Sequence, residues 1–346
     1  MNLSDFDYEY PKELIAQHPL AARDESRMMV VHRSDSSFSH SCIKEIASFI
    51  EPGDIVVINE TKVAPARIFG KRGNGEETEI LLIEQTKTPN LWKALLKRAK
   101  KIRPGEKFFF GMQATATARG RDGIYLMLEF KGNSLKLAME KHGVPPLPPY
   151  IERRGFEAYS QEDRERYQTV YARHTGSAAA PTAGLHLTPQ IVRSIEDRKA
   201  SVEKIVLHVG IDTFAPVRAE KLDDHKMHGE RVIIQRETSK KIFDAKKLGR
   251  RIVAVGTTTT RALESAALRS ETGEIAHDQW TTDLFIKPGF EFKVVDAMLT
   301  NFHQPKSTLL VMISAFAGRE FILSCYEEAI KERYRLFSFG DCMLIL

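Results

Sequence analysis

The sequence predicts an α/β body that is interrupted by a β-rich module, and three patterns indicate this. The apolar runs KIVLHVG, RRIVAVG and TLLVMISAFAG each end in Gly, and the helical stretches TSKKIFDAKKLG and TRALESAALRS lie between them. Strands that alternate with helices are typical of a helix-covered parallel sheet. Between about residues 66 and 133, short apolar runs are separated by turns at roughly 8–12 residue spacing, which is typical of a sandwich or barrel. The length of 346 residues suits about two domains.

Taken in chain order, the first element is a buried strand at Ile55 to Ile58, within DIVVINETKVAPARIF. The runs of the β-rich module follow: EILLIEQ, LWKALLKRA, EKFFFGMQATATARG and GIYLMLEFKG. SLKLAMEKHG predicts a short helix with Gly143 at its C′ position. One face of this helix carries Leu135, Ala138, Met139 and His142.

VPPLPPYI predicts a rigid extended crossing back to the body. SQEDRERYQTVYA predicts a helix with Ser160 at the N-cap and Asp163 three residues later. TLLVMISAFAG is interpreted as a further buried strand. A ligand is expected at the carboxyl ends of the strands, where HVGIDTF, VGTTTTR and SAFAG fall.

Composition limits the class of protein only broadly. The net charge of +5 permits an acidic partner such as RNA but does not require one. The N-terminus lacks the apolar stretch of a signal peptide, and the longest apolar run is shorter than the ~20 residues of a membrane span. Three cysteines, Cys42, Cys325 and Cys342, form no CxxC motif, and we expect a cytoplasmic protein.

Small residues surround one histidine in GSAAAPTAGLHLT, residues 176 to 188. Small residues in a loop indicate that something approaches the backbone closely, so Ala183 and Gly184 are candidates for substrate contact. Thr182 is a candidate hydrogen-bond donor. His186 is a functional group, or it caps a helix that begins near Thr188, or it is a buried residue between Leu185 and Leu187.

VGTTTTR, residues 255 to 261, follows a predicted strand and begins a helix. Backbone N–H groups at a helix N-terminus bind phosphate or carboxylate, so Thr257 and Thr258 are candidate ligand contacts. Arg261 adds a candidate clamp for a carboxylate. The alternative is a set of capping threonines with one surface arginine. The segment lacks GxxxxGK[ST], which argues against a nucleoside triphosphate site.

Other histidines have open interpretations. His208 lies in a strand-like run and is either functional or a satisfied core histidine. In DDHKMHGE, His225, His228 and Glu230 would hold a metal only with a further ligand, and a solvated or substrate-facing loop fits them better. Asn301 and His303, in NFHQPKST, are turn formers or pocket residues.

KRAKKIR, residues 97 to 103, is the strongest basic run, with five basic residues in seven. Such a run is usually a solvated face, but in a β-rich module it also suits an RNA backbone. The candidate RNA contacts are Lys97, Arg98, Lys100, Lys101 and Arg103, extended by Arg153 and Arg154 of IERR.

Many of these segments together resemble one family, the S-adenosylmethionine:tRNA ribosyltransferase-isomerases of queuosine biosynthesis. The resemblance covers nearly the whole chain. It rests on YPKELIAQHPLAARDESR, VINETKVAPARIFG, LPPYI, YQTVYA, AAPTAGLHLT, HVGIDTF, MHGE, VGTTTTRALES, TNFHQPKSTLLVMISAFAG and FSFGDCML. Three residues depart from the usual pattern: Asp212 stands where Gly is more frequent, Gly229 where Ser is usual, and Gln304 where an apolar residue is usual.

The resemblance implies a mostly parallel, Rossmann-like α/β body with an inserted six-stranded antiparallel β-barrel. We place the barrel at residues 66–149 and the body at 1–65 and 150–346. It implies ribosyl transfer from S-adenosylmethionine, a co-substrate, to 7-aminomethyl-7-deazaguanine in tRNA. The products are epoxyqueuosine-tRNA, adenine and methionine. No metal or bound cofactor is expected, and a monomer is the default.

The chemistry that the resemblance implies needs a base, because a proton leaves the ribose carbon next to the sulfonium. It also needs a donor for departing adenine and a pocket without water. His186, His208 and Thr182 are the predicted catalytic residues. The predicted substrate contacts are Ala183, Gly184, His228, Glu230, Thr257, Thr258, Arg261, Asn301 and His303. Two rival functions are an S-adenosylmethionine-dependent tRNA methyltransferase, which the absence of a clear GxGxG loop weakens, and a non-catalytic RNA-binding protein.

Overall fold

The structure is a computed structural model that describes residues 1–96, 99–210, 217, 219–270 and 273–346. Its helices are α1 (Ser134–His142), α2 (Gln161–Arg166), α3 (Pro189–Asp197), α4 (Arg236–Lys247), α5 (Thr257–Leu268), α6 (Thr308–Ala317) and α7 (Arg319–Lys331). Its strands are β1 (Arg27–His32), β2 (Ser37–Cys42), β3 (Ile55–Asn59), β4 (Thr61–Val63), β5 (Arg67–Arg72), β6 (Glu77–Gln85), β7 (Leu91–Leu96), β8 (Lys107–Phe110), β9 (Ala114–Asp122), β10 (Tyr125–Phe130), β11 (Gly143–Val144), β12 (His174–Ser177), β13 (Ser201–His208), β14 (Glu230–Ile234), β15 (Ile252–Val255), β16 (Asp278–Thr282), β17 (Ala297–Asn301) and β18 (Cys342–Ile345).

The β-rich module is a closed antiparallel barrel of six strands, as predicted. Its strand order is β5-β6-β7-β10-β9-β8, and β8 pairs back onto β5 to close the ring. Alternation along each strand puts apolar side chains inside, as in β10, where Leu126, Leu128 and Phe130 are buried. Ala138 of α1 belongs to the same core, and β11 adds to the outer edge of β5. The domain limits themselves stay a prediction.

The body contains one nine-stranded sheet with the order β16-β14-β13-β3-β15-β17-β18-β1-β2. Among the described strands, four pairings are parallel and four are antiparallel. The expectation of a mostly parallel sheet is therefore wrong, and the Rossmann-like description is not confirmed. Only β13, β3, β15 and β17 form a continuous parallel block, because β18 inserts antiparallel beside β17 and β14 returns antiparallel beside β13.

Two separate cores cover the faces of this sheet. Val57 faces a core to which α4, α5, α6 and α7 contribute. Its neighbours Val56 and Ile58 face the other side, where α3 packs. The period of two in a strand thus divides IVVIN, which is apolar except for Asn59, between both cores.

TLLVMISAFAG is a helix, α6, and the prediction of a buried strand is wrong. Ser307 caps it by accepting a hydrogen bond from the Leu310 N–H at 3.2 Å. A continuous apolar run does not distinguish a buried strand from a buried helix, and its ten residues exceed a usual strand. The strand at this point is β17, which ends at Asn301, the first residue of NFHQPKST.

Helix α5 is buried along most of its length, and several of its polar side chains are paired. The Glu264 carboxylate accepts hydrogen bonds from the backbone N–H groups of Lys293, Val294 and Val295 at 2.8–3.0 Å. Burial raises the pKa of this carboxyl. Ser265 accepts a hydrogen bond from the Trp280 indole on β16 at 3.1 Å. These contacts attach α5 to the segment before β17 and to β16.

Two predicted helices have the expected starts but different ends. Ser160 and Asp163 form the predicted capping box of α2, but the helix ends at Arg166 and not near Tyr171. Helix α1 lies where predicted, but Gly143 after it has a φ of −95° and is not left-handed.

Within the described residues no single helix is long and apolar enough to cross a membrane, and only α6 with α7, bent by 113°, meet that test as a pair.

Gly143 is required by space and not by its backbone angles. A Cβ there would lie 2.3 Å from the Met139 carbonyl oxygen and 2.4 Å from the Pro65 carbonyl oxygen. We expect Gly143→Ala to destabilise the barrel by about 1–3 kcal/mol through overpacking. Thermal unfolding measures this.

Gly73→Ala is the matched control. Gly73 is also in the barrel, its φ is not left-handed, and the nearest atom to its Cβ would be the Lys107 carbonyl oxygen at 3.6 Å. Equal melting temperatures for the two variants would contradict the role given to Gly143.

Candidate functional site

A cleft lies at the carboxyl ends of the parallel block, and it has two lobes. The α5 lobe, of about 790 Å³, is bounded by the start of α5, by β14 and by α6. Its polar lining contains five predicted residues: His228, Glu230, Thr257, Thr258 and Arg261. Its apolar lining includes Met227, Leu284, Phe285, Ile286, Leu309 and Met312.

The second lobe, named here the Asn301 lobe, has a volume of about 890 Å³. Its lining includes Tyr150, Thr182, Asn301, His303, Gln304, Phe337 and Ser338. A narrower junction of about 350 Å³ lies between the lobes and contains Thr182, Ala183, Thr257, Thr258 and His303. The junction shares lining residues with both lobes, so the three cavities adjoin.

The start of α5 presents backbone donors to this cleft. Gly256, with a φ of +96°, turns the chain directly from β15 into α5. Within the described residues no side chain caps the helix. The hydroxyls of Thr259 and Thr260 donate back to the carbonyls of Val255 and Gly256, so they lie on the core side. Thr257 and Thr258 lie at the cleft.

Arg261 forms a buried ion pair with Glu230 of β14. Glu230 also accepts a hydrogen bond from the Gly210 N–H at 2.9 Å. Burial lowers the pKa of Arg261 to about 10, so the guanidinium is still charged at neutral pH. Its Nε makes no hydrogen bond within the described residues, and an unsatisfied buried donor is costly. An acceptor on a ligand would relieve that cost.

His303 is the predicted histidine that lies at both the junction and the Asn301 lobe. Its Nε2 is 2.8 Å from Thr300 Oγ1, and its backbone is held by the hydroxyls of Tyr326 and Tyr8. Burial lowers the pKa of His303 to about 3, so its imidazole is neutral.

His186 lies off the cleft. It is buried at the end of a single 3-10 turn, Thr182–His186, and its Nε2 is 3.1 Å from the Asn301 amide nitrogen. Burial, followed by the charges of Arg23 and Arg335, lowers the pKa of His186 to about 4. An imidazole whose Nε2 lone pair accepts from Asn301 is a poor candidate for the base, although its predicted role stays open.

His208 also lies off the cleft, beside the end of β4. Its Nδ1 is 2.9 Å from Thr61 Oγ1, and its ring packs closely on Gly176. Burial lowers its pKa, with smaller effects from Arg231 and His174. The interpretation as a satisfied, half-buried histidine fits this position.

The presence of glycine at two positions is explained by the space available in the fold. A Cβ on Gly184 would lie 2.2 Å from the Tyr171 hydroxyl, so Gly184 allows Tyr171 to pack under the turn and does not line the cleft. A Cβ on Gly229 would lie 2.6 Å from Thr281 Cγ2, which explains a Gly beside this particular threonine. Of the other two departures from the usual pattern, Gln304 lines the Asn301 lobe, and Asp212 lies outside the described residues.

The predicted basic surface divides into exposed and engaged residues. Lys100, Lys101 and Arg103 are exposed on the barrel, while Ala99 and Ile102 between them point inwards. Lys97 and Arg98 lie outside the described residues.

Arg153 is only 7 % exposed in its side chain, and it binds both carboxylate oxygens of Asp163 at 2.9 Å. Arg154 is 93 % exposed. Arg153 thus holds the chain where it returns from the barrel.

Sequence reasoning missed several residues of the cleft. Tyr150, Phe337 and Ser338 line the Asn301 lobe, and Tyr150 Oη is 2.6 Å from Ser338 Oγ. The rigid LPPYI crossing, which contains Tyr150, was the sequence feature that could have indicated this part of the lobe. The apolar wall at Leu284–Ile286 follows β16 and carried no motif.

No metal site is evident within the described residues, where no group of three or more His, Cys, Asp or Glu side chains is arranged to hold an ion. Burial, followed by the charge of His228, lowers the pKa of His225.

Comparisons with known proteins agree with this architecture. The family model described as "Queuosine biosynthesis protein" matches residues 3–345. The S-adenosylmethionine:tRNA ribosyltransferase-isomerase of Thermotoga maritima is 47 % identical over 348 residues, covering all of both chains. The protein of that name from Pelotomaculum thermopropionicum is 48 % identical over 353 residues, with the same coverage.

A solved structure is similar along the whole chain. The crystal structure of the S-adenosylmethionine tRNA ribosyltransferase from Thermotoga maritima aligns with a TM-score of 0.56 and 38 % identity. The alignment covers 99 % of this chain and 100 % of the other. This chain therefore belongs to the queuosine biosynthesis protein family.

Proposed function

We propose that this protein is an S-adenosylmethionine:tRNA ribosyltransferase-isomerase. It transfers the ribosyl group of S-adenosylmethionine to 7-aminomethyl-7-deazaguanine at the tRNA wobble position and isomerises it, which gives epoxyqueuosine-tRNA, adenine and methionine. Family membership and the names of full-length relatives support this. The two adjoining lobes are the structural observation that carries it, because the reaction must hold an amino acid, a ribose and a base together.

The methionine end of S-adenosylmethionine fits the α5 lobe. Its carboxylate has three sources of attraction there: the α5 N-terminus, the Thr257 and Thr258 hydroxyls, and the Arg261 Nε. Glu230 and His228 line the same lobe and are proposed contacts of the amino acid part. The apolar wall of Phe285, Leu309 and Met312 suits the methylene groups next to the sulfonium.

The reacting ribose fits the junction. Thr182 and His303 are the polar side chains that reach this point from the Asn301 lobe. As a neutral imidazole, His303 is able to donate a hydrogen bond to departing adenine, whereas a pKa near 3 makes it a weak base, and His228 is the other candidate in the cleft. Thr182 is a proposed donor to the sugar. Ala183 beside it leaves room for close approach.

The tRNA is proposed to contact the exposed cations of the barrel, Lys100, Lys101 and Arg103, together with Arg154. No metal or bound cofactor takes part in the proposed reaction. A cytoplasmic location and a monomeric state are also retained as proposals.

Adenine release tests the reaction itself. The protein is incubated with S-adenosylmethionine and tRNA that carries 7-aminomethyl-7-deazaguanine, and free adenine is followed by chromatography. We expect adenine only with the modified tRNA, since unmodified tRNA lacks the attacking amine. A methylated tRNA with S-adenosylhomocysteine would favour a methyltransferase, and tRNA binding with neither product would favour a binding protein.

Thr258→Val tests the carboxylate site, because it keeps the shape of the side chain and removes the hydroxyl. We expect the KM for S-adenosylmethionine to rise about tenfold or more, the value of a hydrogen bond to a charged group. Thr260→Val is the matched control, since that hydroxyl bonds Gly256 on the core side of the same helix. Equal KM values for the two variants would remove Thr258 from the site.

The buried neutral state of His303 predicts a dependence of stability on pH. The folded state keeps this imidazole neutral down to a pKa of about 3, whereas an unfolded histidine takes up a proton below about pH 6.5. The unfolded state then binds more protons, so stability falls as the pH falls. Between pH 7 and pH 5, the wild type should lose about 2 kcal/mol more than His303→Gln.

Urea unfolding of both proteins at the two pH values measures this difference. Other titrating groups affect both proteins alike, so the comparison isolates His303. Parallel losses of stability would show that the imidazole is charged or exposed in the folded protein.

A further inference from the structure

The amide of Asn301 is held in one orientation. Its nitrogen is 3.1 Å from the Phe337 carbonyl oxygen and 3.5 Å from the Asp341 carbonyl oxygen. Carbonyl oxygens only accept, so the NH₂ group has to face them. The third neighbour of this nitrogen is His186 Nε2 at 3.1 Å, which therefore accepts as well. The imidazole proton is then on Nδ1.

The other end of the same amide is left without a partner. Asn301 is 2 % exposed, and its Oδ1 makes no hydrogen bond within the described residues. Buried polar atoms in folded proteins are almost always paired, and an exception calls for an explanation. The amide cannot turn over to satisfy Oδ1, because oxygen would then face two carbonyl oxygens.

The geometry around Asn301 includes a strained residue. Phe337, whose carbonyl fixes the amide, has a φ of +69°, which is unusual for a bulky side chain, and it is buried. Such strain persists where the surrounding structure enforces it and is concentrated at ligand sites. The Phe337 ring and the Tyr150 ring lie 4.9 Å apart and both line the Asn301 lobe. The lining of the lobe therefore combines aromatic walls with Asn301, whose buried Oδ1 has no partner within the described residues.

We infer that the Asn301 lobe binds the adenine of S-adenosylmethionine, that Asn301 Oδ1 accepts a hydrogen bond from its 6-amino group, and that His186 is a positioning residue which fixes the Asn301 amide. This assignment rests on the proposed function. If the carboxylate lies at α5, the opposite end of the same molecule is the adenine, and the junction leads from one lobe to the other. An acceptor at the end of the buried strand β17 suits a small co-substrate better than a base attached to a polymer.

The test uses a substrate analogue that requires no mutation. In S-inosylmethionine, an oxo group replaces the 6-amino group, so an acceptor would face Oδ1. We expect the wild-type protein to bind S-adenosylmethionine at least about tenfold more tightly than the analogue, by calorimetry without tRNA. Sites that hydrogen-bond one group reject an analogue lacking it because their buried polar atoms are left unpaired. A ratio near one would overturn the proposal.

Variants locate the source of this discrimination. Asn301→Ala should bring the ratio close to one, with Asn133→Ala, an exposed asparagine at the start of α1, as the matched control. Since Asn301→Ala has the potential to unfold the protein, His186→Phe and His186→Gln provide a second test. Phenylalanine removes the acceptor and should reduce the ratio about threefold. Glutamine restores an acceptor and should restore the ratio, which a role in packing alone does not predict.

The outcomes separate this assignment from the proposed function. Binding discrimination without adenine release would support the adenine site while the proposed reaction fails. A folded Asn301→Ala protein with an unchanged ratio would overturn the assignment. If Asn301→Ala raised the KM for tRNA and left the binding of S-adenosylmethionine unchanged, the assignment would also be overturned, because the lobe would then hold the tRNA base.

Discussion

A buried polar side chain is costly unless it has a hydrogen-bond partner. In α5, which is buried along most of its length, this constraint determines how the helix is attached to its surroundings. Arg261 pairs with Glu230 of β14, Glu264 binds three backbone N–H groups before β17, and Ser265 binds Trp280 of β16. Two strands of the sheet and the segment before β17 are thereby fixed to one helix. A polar group left unpaired there would cost about 1–3 kcal/mol, so these contacts are strongly coupled to folding.

The same helix divides its surface between stability and the proposed chemistry. Its first turn presents Thr257 and Thr258 to the cleft, while Thr259 and Thr260 bond back to the strand that precedes it. Four consecutive threonines therefore have two different tasks, which the sequence alone does not reveal. Burial also keeps His186 and His303 neutral, since it lowers both pKa values far below 6.5. In the proposed site, a neutral His303 adds no charge at the junction.

Periodic patterns predicted well what depends on local sequence. The alternation in YLMLEF and the turns around it are local signals, and the barrel strands follow from them. The capping box at Ser160 and the strands β13 and β15 belong to the same class. The closing strand pair β5–β8 is a long-range contact, and its prediction came from the family resemblance.

What could not be predicted depends on partners far along the chain. The apolar run of α6 has no period that separates helix from strand, and the antiparallel insertion of β18 is a choice of neighbour rather than a property of CMLI. The site shows the same limit. The five polar residues of the α5 lobe came from motifs. The structural neighbours of Gly184 and Arg153, which are Tyr171 and Asp163, could not be read from the sequence, because they come close only in the fold. Tyr150 and Phe337 were missed for that reason too.

The anchoring of the chain where it returns from the barrel has a further consequence. Arg153 binds Asp163, Arg164 donates to the Gly143 carbonyl, and Arg67 of β5 donates to the Leu147 carbonyl. The crossing is therefore bound along its length and has little freedom as a hinge. These contacts therefore limit changes in the distance between the basic turn at Lys100–Arg103 and the cleft. If an RNA binds at both places, its second contact forms at a high effective concentration only when the RNA spans that distance. The size of an RNA would then help to decide whether the protein selects it.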